Sequence, residues 1–399
     1  MSPHHRLLCL LPLSWACSRP PPPPDDAVKI VSSLVRSGSA SAQTDHIVHG
    51  IRMALADAGQ RAGSLPLVYE DWDDASTKKA DWDPEVEAAN AARAIRDPRV
   101  MVYLGPYNSG AAKVSAPLLN RAGLASISPI VTYPGLTRPD AGELHEPQVY
   151  RPSRQITFFR VVPPDDLQGA AGARWMRQLG GRRVFVLDDL QLYGRGVADV
   201  FVAEAAHAGL EVVGRESIDG RAQEYRSLMA KVARQRPDWL YFGGTTQTNA
   251  GQLIKDAVAG GLGARIMLPD GCFEHAMIDA AGADNADGRV HLTFGGVPPE
   301  ALEGEGAAFV ERYRATWGQQ PDVYAIYGYV AATAAVQALA RCPEPSRACV
   351  AHALGHSERF DSPLGAFRFD AHGDMSRTTM SGNIVKGGTF RFETLLGTP

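Results

Sequence analysis

VMVYLGPYNSG, residues 100 to 110, decides how the chain is read. The apolar run Val100 to Leu104 has the length and composition of a buried strand. Gly105-Pro106 breaks that run, Asn108-Ser109-Gly110 follows, and from Ser109 to Ala122 the spacing turns helical until Gly123 ends it. Strand, tight turn and helix in so few residues make a βα unit, with Ser109 expected as the helix N-cap. Such a loop can cradle a phosphate, present a nucleophilic serine, or hold a ligand. A phosphate loop is excluded, because the lysine and Ser/Thr that follow the second glycine of that motif are missing. A nucleophile elbow is excluded too, because Asn108 stands where G-x-S-x-G has its first glycine. Binding remains.

The alternation continues in both directions. Val28–Leu34 is strand-like, His46 to Ala58 has helical apolar spacing, and Leu65 to Glu70 is again strand-like. Asp83-Pro84-Glu85 opens a helix to about Arg96, with a capping aspartate, proline in the first turn and acids near the positive end. Leu124 to Ser128 is the next strand. After a polar, proline-rich stretch from Thr137 to Pro152, a second series begins. Strands are expected at Arg183–Leu187, Leu210–Ile218, Asp238–Phe242 and Arg265–Leu268, and helices at Gly196–Ala208, Gln223–Gln235 and Ala250–Ala259. Repeated βα units predict parallel sheets covered by helices on both faces, and two series predict two α/β lobes.

Composition agrees. A chain of 399 residues suits two domains, and 45% hydrophobic with 21% charged residues describes a globular protein. A net charge of −4 and no basic block interleaved with aromatics argue against nucleic acid. Residues 1–17 read as an export signal, a short basic start followed by the apolar run Leu7 to Ala16 and then Cys17. The layout resembles a lipoprotein signal with Cys17 as the lipidated residue; plain secretion is the alternative, since bulky Trp15 stands where a small residue is usual. Residues 18–27 contain a run of five prolines, a semi-rigid spacer. An exported chain can staple Cys342 to Cys349 across the polar loop between them, free thiols being the alternative, while lone Cys272 reads as a buried small hydrophobe.

In open α/β sheets, ligands bind beyond the carboxyl ends of the strands. Those ends carry Gly105-Pro-Tyr-Asn108-Ser109, Pro129-Ile130-Val-Thr132, Asp188-Asp-Leu-Gln-Leu-Tyr193, Gly243-Gly-Thr245-Thr246 and Pro269-Asp270-Gly271. With VMVYLGPYNSGAAKVSAPLLNRAGLASISPIVTYPGLT, FFRVVPPDDLQGAAGARWM, VFVLDDLQLYGRGVADVF, DVYAIYGYVAATAAVQAL and SPLGAFRFDAHGDM in this order, the chain resembles the type I periplasmic binding proteins, specifically the leucine/isoleucine/valine-binding receptors, from about Val28 to about Phe392. The resemblance implies two doubly wound parallel-sheet lobes joined by three crossovers near Phe159, Gly295 and Ser357. Lobe 1 would hold 28–158 and 296–357, and lobe 2 would hold 159–295 and 358–399.

It further implies that Ser109 and Thr132 receive the α-carboxylate of an amino acid, with Ile130 offering its backbone carbonyl. Asp270 would pair with the α-ammonium and Tyr193 would close over the ligand. Asn108 either touches ligand or holds its loop. Thr245 or Thr246 falls where relatives often have a larger aromatic. The bland readings are a cap at Ser109, turn chemistry at Thr132 and Asp270, and packing at Tyr193. The loop Ser37 to His46 departs from the family by lacking an aromatic, and Gln43, Thr44 and Asp45 suggest a more polar pocket.

Catalysis is not expected. Gly194-Arg-Gly196 lacks the third glycine of a dinucleotide fingerprint, Asp188-Asp189 are adjacent and face different ways, and His46 and His49 lack further ligands at metal spacing. No cofactor and no metal are expected. The implied function is an extracytoplasmic receptor serving membrane permease subunits of an ABC importer. A receptor for amides, urea or small organic acids, a sensor domain, and a structural lipoprotein without ligand are the alternatives.

Overall fold

The computed structural model describes residues 27–397; the export signal, the spacer up to Asp26 and Cys17 lie outside the described residues. In the first lobe the chain forms β1 (Val28–Leu34), α1 (Ser41–Asp57), β2 (Arg61–Ala62), β3 (Leu65–Asp73), β4 (Ala75–Ser76), β5 (Asp81–Trp82), α2 (Pro84–Arg96), β6 (Val100–Leu104), α3 (Ser109–Arg121), β7 (Ala125–Ser128) and β8 (Phe158–Arg160). Six of these strands make a sheet in the order β2-β3-β1-β6-β7-β8, parallel except at the β2 edge. The second series supplies α4 (Asp165–Gln178), β9 (Arg183–Asp188), α5 (Leu192–Ala205), β10 (Glu211–Ser217), α6 (Arg226–Arg234), β11 (Trp239–Gly243), α7 (Ala250–Ala259), β12 (Arg265–Leu268), α8 (His275–Ala281), α9 (Ala283–Ala286) and β13 (Val290–Phe294). Then come α10 (Glu305–Trp317), α11 (Ala325–Ala340), α12 (Arg347–His356), β14 (Met380–Lys386) and β15 (Thr389–Leu396). The second sheet runs β10-β9-β11-β12-β13-β14-β15.

Central strands β6 and β11 are buried along their whole length, which is why they read as apolar runs, whereas the equally buried β13 carries His291 and Thr293 and gave no such signal. Asp83 caps α2 as expected, its carboxyl accepting the Glu85 N–H at 2.9 Å. Two helices begin earlier than periodicity suggested, α1 at Ser41 and α5 at Leu192, because their first turns bury small or polar residues that carry no apolar signal. The hairpin β14–β15 was not anticipated and makes the second sheet mixed, with an antiparallel edge.

The chain passes between the lobes three times: after β8, after β13, and between α12 and β14. Helices α11 and α12 return to pack on the first sheet. Glycine permits the close crossing of α1 and α11: a Cβ on Gly50 would stand 1.9 Å from the Ala325 carbonyl oxygen, and one on Gly328 would stand 2.2 Å from that of Ile47. Cys342 and Cys349 are joined in a disulfide between the ends of α11 and α12, with Cα atoms 6.0 Å apart. Cys272 is buried and unbonded. Among the described residues no helix is long and apolar enough to cross a membrane.

The connection between α12 and β14 is held against the first sheet. Phe360 pairs with Phe367, Phe369 with Met375, and Asp374 bridges Arg160 in parallel at the edge of the first sheet. The reason is electrostatic. Arg160 is fully buried, and its Nε donates to Asp374 at 2.7 Å, while Arg138 reaches the other oxygen of Asp374 at 2.9 Å and Asp166 of α4 at 2.5 Å. Burial opposes ionisation of Asp374, yet the two guanidiniums outweigh it and hold its pKa below the usual carboxylate range. Removing one partner of such a pair strands the other. Asp374→Ala is therefore expected to cost about 3–5 kcal/mol of folding stability, measured by urea unfolding at neutral pH. Because the folded-state pKa is depressed, the stability this acid contributes is present above its ordinary pKa and is lost as pH falls through the lowered one.

Candidate functional site

The loops at the carboxyl ends of both sheets converge on one cavity. Its lining is Tyr107, Asn108, Ser109, Ile130, Thr132, Tyr193, Thr245, Asp270, Gly271 and Tyr324. All seven residues singled out in the sequence as ligand contacts stand there together. Tyr107, Gly271 and Tyr324 were not singled out, although Tyr107 sits inside GPYNSG and Tyr324 inside DVYAIYGYVAATAAVQAL.

One wall is built from the turn after β6. Gly105 adopts φ +123° and a Cβ there would meet the Ser33 carbonyl oxygen at 2.4 Å, so only glycine lets the loop pack onto β1. Asn108, not Ser109, is the N-cap of α3, in extended conformation and without a side-chain capping bond. Ser109 is thus the first helical residue. Its N–H belongs to the first turn, which lacks intrahelical acceptors, and its hydroxyl is not consumed in capping. Asn108 Oδ1 is buried and has no hydrogen-bond partner among the described residues.

One strand over, the Ser128 hydroxyl accepts the N–H groups of Ile130 (3.2 Å) and Val131 (2.9 Å) and fixes the loop. The carbonyl of Thr132 accepts the Asp165 N–H at 3.0 Å, which turns α4 toward the cavity. Arg160 donates to the Tyr133 carbonyl at 2.8 Å, so the hinge charges also hold this loop.

The facing wall comes from the second lobe. Asp270 opens a short 3-10 turn after β12 and is buried. Tyr193, the second residue of α5, donates to Asp270 Oδ1 at 2.5 Å and accepts the Gly271 N–H at 3.1 Å. Tyr324, leading into α11 of the first lobe, donates to Asp270 Oδ2. The carboxyl is therefore gripped from both lobes. Thr245 caps its own turn through a reciprocal pair with Thr248. That leaves its methyl facing inward, 3.0 Å from where a Cβ on Gly271 would lie. Thr246 does not line the cavity.

The polar residues of the first loop divide. Gln43 is buried and accepts the Tyr107 hydroxyl at 2.5 Å. Thr44 instead donates to the Val35 carbonyl, and Asp45 pairs with Arg36 at 2.6 Å. Only Gln43 approaches the cavity wall.

Acids crowd this region. Burial, followed by the charge of Asp270, pushes the Asp165 carboxyl well above its usual range, and neither of its oxygens has a bonding partner among the described residues. Burial likewise moves Glu274 up to about 7, with Asp322 adding to it, and Asp322 up to about 7. Beneath the Gly105–Ser109 turn, buried Glu87 accepts the Ser33 hydroxyl at 2.6 Å and the Tyr103 hydroxyl at 3.0 Å, and burial raises it to about 7. Its neighbour Asp74 is raised as well, by burial and then by Glu87.

Residues 27–389 match the family described as Periplasmic binding protein. An amino acid binding protein of Pseudomonas aeruginosa is 28% identical over 259 residues, 65% of this chain and 63% of that protein. Leu/Ile/Val-binding protein homolog 2 of Brucella abortus is 26% identical over 346 residues, 85% of each chain. In structure, a leucine-binding protein from Thermotoga maritima superposes with a TM-score of 0.81 at 24% identity, covering 93% of this chain and 99% of that one. A solute-binding protein from R. palustris in complex with benzoate gives 0.78 at 21% identity, covering 93% and 97%. The last two likenesses concern the fold.

The raised acid beneath the turn has a measurable consequence. A carboxyl whose folded-state pKa is raised stabilises the fold below its ordinary pKa and loses that contribution as pH climbs to the raised value. Glu87→Gln should therefore flatten the decline in stability between about pH 4.5 and pH 7 relative to the parent protein, as read from urea midpoints across that range.

Proposed function

This chain belongs to the periplasmic binding protein family, and we propose that it is an extracytoplasmic receptor of an ABC importer that captures an amino acid between two closing lobes. The observation that carries the reading is the pairing of opposite polarities across one cavity. On one wall stand the Ser109 hydroxyl and the N–H groups that open α3; on the other stands the Asp270 carboxyl. A helix N-terminus favours an anion, and a buried carboxyl favours a cation with N–H donors. An α-amino acid carries both groups on adjacent carbons. The Thr132 hydroxyl would share the carboxylate with Ser109, and the Ile130 carbonyl would share the ammonium with Asp270. Asn108, Tyr193 and Thr245 complete the walls.

Each charge costs several kcal/mol to bury alone, roughly, and the zwitterion meets a partner at both ends. Closure by hinge motion would then seal the solute from water and display the two-lobed surface that membrane permease subunits read. Nothing in this mechanism asks for bond cleavage. A plain organic acid suits the cavity less well, because it offers Asp270 no cation. Export is part of the same reading, with Cys17 as lipid anchor or with free release.

Isothermal titration of the mature chain against the common amino acids is expected to show one-to-one binding. Asp270→Asn should weaken it by about a hundredfold, since it strands the ligand ammonium. Ser109→Ala should weaken it by about tenfold. Binding of solutes that lack an ammonium group, unaffected by Asp270→Asn, would defeat the amino-acid reading.

A further inference from the structure

Three of the ten residues that line the cavity are tyrosines, Tyr107, Tyr193 and Tyr324. A tyrosine can serve a ligand with its hydroxyl or with its ring, and here each hydroxyl proton is already committed to the protein. Tyr107 donates to Gln43 Oε1 at 2.5 Å. Tyr193 donates to Asp270 Oδ1 at 2.5 Å, and its oxygen also accepts the Gly271 N–H at 3.1 Å. Tyr324 donates to Asp270 Oδ2. What the three have left for a solute is ring surface.

Two of these rings are placed by one carboxyl. Tyr193 comes from the second lobe and Tyr324 from the segment leading into α11 of the first, so each lobe anchors a ring at one oxygen of Asp270. A Cβ on Gly271, the next residue, would stand 2.8 Å from the Tyr193 ring and 3.0 Å from the Thr245 methyl, so both close in beside the acid. The Thr245 hydroxyl is spent in the reciprocal cap with Thr248. No lysine, arginine or histidine lines the cavity. A full charge is thus set among rings and a methyl group, and each of its oxygens already accepts a hydrogen bond. What Asp270 chiefly offers is charge. A primary ammonium is compact and strongly hydrated, and it must replace three hydrogen bonds to water. An N-methylated ammonium surrenders fewer of them, and its spread charge lies favourably against an aromatic ring.

We propose that Tyr107, Tyr193, Tyr324 and Asp270 form a cage for a methylated ammonium, so that the preferred solute is an N-methylated amino acid, with a betaine as the fully methylated limit. This rests on the amino-acid reading of the cavity. The carboxylate stays at Ser109 and the opening of α3, and only the nitrogen end is specified further. Methyl groups meet the rings and the Thr245 methyl, and Asp270 balances the charge without needing N–H donors.

Titration calorimetry of the mature protein with glycine, N-methylglycine, N,N-dimethylglycine and glycine betaine varies only the methyl count, with L-alanine and L-leucine as primary amino acids for reference. Affinity is expected to climb along the series, the betaine binding about thirtyfold more tightly than glycine and more tightly than either reference. Tyr193→Phe keeps the ring and should leave the betaine-to-glycine ratio within about twofold of the parent's, whereas Tyr193→Leu should lower it about fivefold. Each ratio compares two solutes on one protein, so a variant of reduced stability still reports it, and the series on the parent protein needs no variant. Affinity that stays flat or falls with methylation overturns the cage, as does a climb that Tyr193→Phe abolishes, since the hydroxyl and not the ring would then be read. If alanine or leucine outbinds every methylated solute and is weakened by Asp270→Asn, the cage falls and the amino-acid reading stands. If no amino acid binds, methylated or not, both fall together.

Discussion

The carboxyl of Asp270 has two tyrosine hydroxyls and no cation for company, and the molecule is arranged around that imbalance. Tyr193 holds one oxygen from the second lobe and Tyr324 holds the other from the first. Neutral hydroxyls satisfy the geometry of a buried acid but offset little of its charge. The contact thus does two jobs at once. It draws the lobes together, because its donors come from both, and it leaves an electrostatic deficit that a cationic group can fill. Were a ligand to bind at Asp270 as proposed, occupancy would be coupled to lobe angle without a separate device, since whatever changes the partners of Asp270 also changes what joins the lobes.

The opposite solution is found at the hinge. Arg160 and Asp374 are fully buried, but they meet as a charged pair, with Arg138 extending the network to Asp166. Arg160 also donates to the Tyr133 carbonyl, next to Thr132. The loop that faces the cavity is therefore set by the same charges that fix the first and third connecting segments. Stability and binding geometry share residues here, so a substitution at Asp374 or Arg160 is felt in both.

How much of this was legible in the sequence follows from where the information sits. Strand-end loops of α/β units are where a ligand is expected by topology alone, and Ser109, Thr132 and Asp270, singled out on three of those loops, line one cavity. Tyr324 was missed because it precedes a helix, not a strand-end loop, and reaches the cavity only through the return of α11 to the first lobe. Ser109 was misplaced by one position: the local pattern of Asn108-Ser109 permits either residue to cap, and the backbone chose Asn108. That 360–375 lies against the edge of the first sheet was not legible, because the interaction that holds it there joins Arg160 to Asp374, residues 214 apart in the chain. Periodicity sees neighbours, and that contact is not between neighbours.

The same reasoning bears on why family membership leaves the solute open. The proposed clamp for an α-carboxylate and an α-ammonium uses strand-end loops, so it would tell an amino acid from other solutes but not one amino acid from another. Discrimination falls to residues outside that frame. Thr245 presents only a methyl to the cavity, and its hydroxyl is spent on its own turn. Gln43, in a loop without an aromatic, is buried behind the cavity residue Tyr107 and accepts its hydroxyl.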